Sequence, residues 1–162
     1  MSGFVIAPLP LRHGTLALSP LPALPENREA VEAFRPALVV SMTEAAEMAA
    51  LGAGDLPDWL AARGIDWAHF PVADFGIPPQ GADWPRLARR IAATLDGGEK
   101  VLVHCRGGLG RSGMVALKLM VDSGEPPENA LERLRAVRPG AVETAAQFDW
   151  ATGKPPATGL AL

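Results

Sequence analysis

The 162-residue sequence predicts an α/β fold. It should be a single domain with a central, mainly parallel sheet of about four to five strands flanked by helices. A loop between one strand and one helix should carry the chemistry. Three observations lead there. Between residues 37 and 121, short β-branched runs alternate with helical stretches, the pattern of strands joined by crossover helices. Residues 101–103, Val-Leu-Val, are apolar without alternation, as a strand covered on both faces would be. The residues are 48% hydrophobic and 20% charged, which places the chain among globular domains with an ordinary core rather than disordered ones.

Each element follows in order. Residues 4–6 and 15–18 read as two short strands in a hairpin at the sheet edge, because prolines 8, 10, 20, 22 and 25 exclude a central strand there. Residues 26–34 read as a helix that stops before Pro36. Residues 37–41 are a buried strand. Thr43 is the expected N-cap of the next helix, with Glu44 and Glu47 in its first turns and an end near Gly52 or Gly54. Pro57 suits the first turn of a short helix from residue 55, which Gly64 ends. Residues 66–72 are a strand on which His69 reads as structural. Residues 73–83 are a Gly/Pro/Asp loop, and residues 84–95 a helix started by Asp83 and ended by Gly97-Gly98. After the 101–103 strand, residues 112–121 form a helix that is apolar nearly all round. A helix over 125–137 has Leu131, Leu134 and Val137 at core spacing. Residues 143–150 form the last helix. One domain over 1–152 and a loosely ordered tail over 153–162 are expected.

Composition removes several functions. A net charge of −3 argues against bulk nucleic-acid binding. A single cysteine rules out an internal disulfide framework and fits a reducing compartment. No apolar run reaches the roughly 18 residues of a membrane span, and the N-terminus lacks a basic segment followed by an apolar block. The expected location is the cytoplasm, with no membrane partner. The oligomeric state is left open.

The chemistry concentrates in residues 104–112, His-Cys-Arg-Gly-Gly-Leu-Gly-Arg-Ser. A strand, a loop with glycines at 107, 108 and 110, and a helix N-terminus together make an anion cradle. Five residues separate Cys105 from Arg111. At that spacing the Arg111 fork reaches back and binds two phosphate oxygens, while the backbone amides of residues 106–111 bind the others. Arg106, Gly107, Gly108, Leu109, Gly110 and Arg111 are therefore the expected substrate-binding residues. Helix dipole, amides and guanidinium favour the thiolate form of Cys105, a nucleophile placed to form a phosphocysteine. The leaving oxygen then needs a proton. Asp74, in the Gly/Pro loop after a strand, is the expected general acid and later the general base, with Asp66 and Asp83 as fallbacks. Ser112 can donate to the sulfur and serve as the helix cap. No metal or cofactor is called for.

This pattern, His104-Cys105-x5-Arg111-Ser112, resembles the signature of the cysteine-dependent protein tyrosine phosphatases, in their dual-specificity branch. Within that branch the segment Pro71-Val72-Ala73-Asp74-Phe75-Gly76-Ile77-Pro78 and the signature are similar to those of the cyclin-dependent kinase inhibitor 3, or kinase-associated, phosphatases. The resemblance covers roughly residues 35–150. It implies that Asp74 is the acid, and that His104 restrains the loop and assists the thiolate rather than acting as a base. It also implies that Gln147 lies near the hydrolytic water. Glu143 is expected to pair with an arginine, Arg111 or Arg138. The chain has no Tyr, so it lacks a tyrosine-bearing recognition loop. A shallow pocket taking phosphotyrosine, and also phosphoserine or phosphothreonine, is expected of it.

Other readings share the loop. A phosphoinositide or small-metabolite phosphatase would use the same cradle, although Arg106 and Leu109 stand where such enzymes often carry lysines. A phosphoresidue-binding module would bind without turnover. A rhodanese-like sulfurtransferase is disfavoured by Arg111-Ser112 and by the Asp74 loop.

Overall fold

In the computed structural model, residues 3–153 are described. Five strands form one sheet: β1 (Ala7–Leu11), β2 (Gly14–Ser19), β3 (Leu38–Ser41), β4 (Asp66–His69) and β5 (Lys100–His104). Their spatial order is β1-β2-β5-β3-β4. The β1–β2 pair is antiparallel and the other three pairs are parallel. β5 is therefore central, and the segments leaving β3, β4 and β5 emerge at the same end of the sheet. Open parallel sheets bind ligands at that end.

Seven helices cover the sheet: α1 (Pro25–Phe34), α2 (Ala45–Ala50), α3 (Leu56–Ala61), α4 (Trp84–Asp96), α5 (Gly110–Asp122), α6 (Pro127–Val137) and α7 (Ala145–Thr152). The strand alternation divides the core in two. Leu16, Leu18, Val40, Val101 and Val103 pack with Leu87, Ile91 and Met114 on one face. Ala17, Val39 and Leu102 pack with Val31, Met48, Leu56 and Leu60 on the other. Both faces are buried, which is why the central strands read as unbroken apolar runs.

Several expectations shift. The first strand lies over Ala7–Leu11 rather than 4–6, with Pro8 and Pro10 inside it. Both prolines are exposed, and β1 has a neighbour on one side only, so their missing N–H groups leave no ladder bond unmade. β2 is not an edge strand; it pairs with β5. Thr43 is buried in a bend and does not cap α2; Glu44, extended at φ −71° and ψ 154°, holds the cap position. Pairing beyond β4 continues through Phe70 N to Ser41 O (2.9 Å) and Val72 N to Met42 O (3.0 Å), with Pro71 between. α5 starts at Gly110, two residues before the expected start. Val137 is exposed, leaving Leu134 in the core and Leu131 packed at its margin. α7 starts at Ala145 because Thr144 Oγ1 accepts from Gln147 N (3.1 Å). Beyond Gly153 the expected tail lies outside the described residues.

Candidate active site

The chain leaves β5 at His104 and reaches the N-terminus of α5 through residues 105–109. Four successive carbonyls of this loop are held from outside. Arg106 O accepts from Leu21 N at 3.1 Å. Gly107 O and Gly108 O accept from Arg138 Nη2 (2.7 Å) and Nε (3.0 Å). Leu109 O accepts from Val142 N at 3.0 Å. Across a trans peptide the N–H points opposite to the carbonyl. The amides of residues 107–110 are thereby turned away from these donors, toward the concave side of the loop. Gly108 has a positive φ of 74°, and a Cβ there would fall 2.6 Å from the Ser19 carbonyl carbon, so only glycine fits. At Gly110 a Cβ would meet only the side-chain ends of Glu143 and Gln147, not backbone.

Cys105 is buried, and its Sγ lies 3.1 Å from Ser112 Oγ. Arg111 is 1% exposed. Its Nη1 donates to Glu47 Oε1 (2.8 Å) and Val72 O (2.9 Å), and its Nη2 to Glu47 Oε2 (2.8 Å). The Asp74 carboxylate is 3.2 Å from Nη2. Arg111 Nε is buried and has no partner. A buried, charged donor left open is costly unless something fills the place. The Arg111 hydrogen bonds hold the Glu47 carboxyl below the usual carboxylate range, against the opposing effect of burial.

His104 is fully buried, and burial, helped by the Arg111 charge, lowers its pKa from 6.5 to about 4. The ring is neutral at physiological pH. Its Nδ1 lies 3.2 Å from Cys105 O, which can only accept, so Nδ1 carries the proton. Nε2 must then accept from Ser41 Oγ (2.5 Å), which in turn accepts from Trp67 Nε1 (2.8 Å). This buried chain ties the peptide at Cys105 to β3 and β4.

The 73–83 loop is more open. The Asp74 side chain is 42% exposed, and Phe75 beside it adopts a φ of 63° with its ring exposed. Gly76 O accepts from Gln147 Nε2 at 3.1 Å. Gln147 is fully buried, and its Oε1 accepts from Glu143 N (2.9 Å) and Thr144 N (3.2 Å). Its amide thus joins α7 to the Asp74 loop.

The structure brings together Cys105, Arg111, Ser112, Asp74, His104 and Gln147. Arg106 is exposed at the rim, and Leu109 packs near Gly140. Asp66 opens β4 at the far end of the sheet. Asp83 is committed to α4, its Oδ1 accepting from Arg86 N (3.1 Å). Glu143 pairs with neither arginine: Arg111 is taken by Glu47 and Asp74, and Arg138 by loop carbonyls. The sequence reading missed Glu47 and Arg138 as partners of the loop. Glu47 carried only a helix-start signal, being 64 residues from Arg111. Among the described residues, no group of three or more His, Cys, Asp or Glu is placed to hold a metal ion.

A family model described as Swiss Army Knife protein, DSP-PTPase phosphatase domain, matches residues 11–149. Cyclin-dependent kinase inhibitor 3 of Rattus norvegicus is 37% identical over 99 residues, 59% of this chain and 46% of that protein. Protein tyrosine phosphatase type IVA 3 of Bos taurus is 34% identical over 83 residues, 49% of this chain and 45% of that protein. The chain spans about half the length of these curated relatives. Among solved structures, kinase associated phosphatase with its catalytic-site cysteine replaced by serine superposes with a TM-score of 0.82 at 25% identity, covering 93% of each chain. Tk-PTP in the active form superposes at 0.71 with 34% identity, covering 92% of this chain and 98% of that one.

Proposed function

The chain belongs to the DSP-PTPase phosphatase family, and from that membership we propose that it hydrolyses phosphomonoesters on proteins or peptides through a phosphocysteine. In the first step the Cys105 thiolate attacks phosphorus. A P–S bond forms, the P–O ester bond breaks, and protonated Asp74 gives its proton to the leaving oxygen. In the second step water attacks phosphorus while the Asp74 carboxylate takes a proton from it. The P–S bond breaks, inorganic phosphate leaves, and the thiolate returns, stabilised by the Ser112 hydroxyl 3.1 Å away. The amides of residues 107–110 and Arg111 hold the equatorial oxygens, where negative charge accumulates.

The observation that carries this reading is the open Arg111 Nε. Glu47, Val72 and Asp74 occupy the rest of the fork, and its one open donor belongs to the residue that frames the loop around Cys105. His104 is a positioning residue: its Nδ1 proton is held by Cys105 O and its Nε2 lone pair by the Ser41 hydroxyl, so neither nitrogen is open to take a proton from substrate or water. Gln147 sets the acid loop and its backbone, in addition to lying near the reacting water. The substrates are phosphotyrosine and phosphoserine or phosphothreonine in protein segments. The cytoplasm is the expected setting, because a nucleophilic thiolate needs reducing surroundings. Among the described residues no helix is long and apolar enough to cross a membrane.

The test is phosphate release from p-nitrophenyl phosphate, with chelator and reductant present, for wild type and Cys105→Ser together. Release by the wild type alone supports the proposal. Release by both removes Cys105 from its role. Silence in both, with phosphopeptide bound by the wild type, makes the chain a binding module.

A further inference from the structure

β4 ends the sheet and pairs on one side only, with β3. Asp66 N and Phe70 N point to β3, donating to Ala37 O and Ser41 O. By alternation Trp67 and His69 turn their amides and carbonyls outward. α4 packs on the sheet face against β2 and β5, and its Arg86, Leu87 and Arg90 side chains reach toward this edge. Between them lies a cleft of about 380 Å³ lined by Trp67, His69, Phe70, Arg86, Leu87 and Arg90 among others. The Trp67 and His69 rings stack at 5.1 Å on the other face of the sheet, held to Ser41 Oγ and Thr43 O, so these two residues line the cleft with their backbone. Arg90 Nη1 reaches Trp67 O at 3.5 Å, at the limit of a hydrogen bond.

Positive charge clusters here. Arg12, Arg28, Arg63, Arg111 and Arg133 each meet a carboxylate, and Arg135 and Arg138 are held by backbone carbonyls. Arg86, Arg89 and Arg90 are exposed and have no ion-pair partner among the described residues. The nearest acid in the cleft, Asp83, is engaged by a backbone amide. Three guanidinium groups within five residues of one helix repel one another, in a protein whose net charge is −3.

We propose that this cleft docks an acidic, extended segment flanking the phosphorylated residue of the substrate protein. Carboxylates of that segment sit on Arg86 and Arg90, and its backbone meets the outward groups of Trp67 and His69, as strands added to a sheet edge do. The inference rests on the phosphatase reading given above. The position fits it: Phe70, at the upper end of the cleft, is two residues from Val72, whose carbonyl holds Arg111. At about 3.3 Å per residue, His69 to Val72 spans roughly 10 Å, so a flank of three to five residues reaches the cleft.

The experiment compares two phosphotyrosine peptides, one with Asp and Glu three to five residues on either side and one with Asn and Gln instead. Wild type and Arg86→Glu/Arg90→Glu are assayed on both, and on p-nitrophenyl phosphate. The wild type should prefer the acidic peptide about tenfold in kcat/KM, through KM, as one or two partly exposed ion pairs would give. The preference should fade with salt and vanish in the double variant, with p-nitrophenyl phosphate turnover unchanged. Equal kcat/KM for the two peptides in the wild type, or a preference that survives charge reversal, overturns the proposal. If the wild type does not turn over p-nitrophenyl phosphate, the activity reading fails by itself. Anisotropy with the same peptides unphosphorylated then decides the cleft: binding lost on charge reversal supports it, and absence of binding overturns it.

Discussion

The loop that holds Cys105 and the loop that carries Asp74 meet at one guanidinium but are built differently. Residues 106–109 have every carbonyl gripped from outside, by Leu21, Arg138 and Val142, and the side chains of Cys105, Arg111 and Ser112 are buried. Residues 73–83 leave Asp74 and Phe75 largely in solvent and are tied down at Gly76 by one buried glutamine. On the proposed mechanism, an incoming phosphate would find the dipoles of the first loop already oriented, so little reorganisation would accompany the attack. The second has few buried contacts, which is where motion is cheapest. Arg111 joins the two, since it also binds Val72 O at the start of the acid loop and pairs with Asp74 itself. On the proposed mechanism, phosphate affinity would rest on the buried half and sensitivity to the leaving group on the open half.

The largest effect expected from breaking this contrast is at Asp74. Asp74→Asn should lower kcat/KM, which reports the first step, by about 10²–10³ on an alkyl phosphate and by clearly less on p-nitrophenyl phosphate, whose leaving group needs little protonation. Equal, small losses on both would remove Asp74 from the role and leave the open loop without a function.

The buried half has its own pH signature. The His104 pKa is lowered from 6.5 to about 4 by burial, so between those values the unfolded chain takes up a proton that the folded one does not. Stability therefore falls as pH falls from 6.5 toward 4, by on the order of 3 kcal/mol in all. Glu47, held low by Arg111, adds a loss of the same sign at lower pH, as its carboxylate becomes protonated. Urea unfolding at pH 7 and pH 4.5 should show the drop, and His104→Asn should flatten it. An unchanged slope in that variant would place the titrating group elsewhere.

Arg138 sharpens the comparison with a smaller effect. Arg138→Gln frees Gly107 O and Gly108 O, and should raise KM about tenfold for every substrate while leaving the leaving-group dependence alone. Arg138→Lys should recover part of the loss. A kcat effect that grows with leaving-group pKa would mean that Arg138 acts on the acid loop instead.

How much of this was legible follows from sequence distance. The cradle could be read because Cys105, its glycines, Arg111 and Ser112 are contiguous, and β5 and α5 flank them with unmistakable apolar patterns. Asp74 could be placed because the loop leaving the carboxyl end of a parallel strand is where such groups gather. Glu47 could not, because a carboxylate in a first helical turn has a sufficient local explanation. The hold of Arg138 on Gly107, 31 residues away, also has no local signal. The prolines at 8 and 10 hid β1, since proline excludes a strand only where its N–H is needed. The glycines looked alike in sequence, yet Gly108 is set by its φ and by backbone against it, while Gly110 faces only side-chain ends.

The central claim is that phosphate passes through Cys105. Rapid-quench mass spectrometry of Asp74→Asn mixed with p-nitrophenyl phosphate tests it most directly, because loss of the general base slows hydrolysis of the intermediate while the good leaving group still departs. The expected result is one phosphoryl group on the peptide containing Cys105, absent from the Asp74→Asn/Cys105→Ser protein. Continued turnover with the phosphoryl group on another residue, or sustained turnover by the protein lacking Cys105, would contradict it.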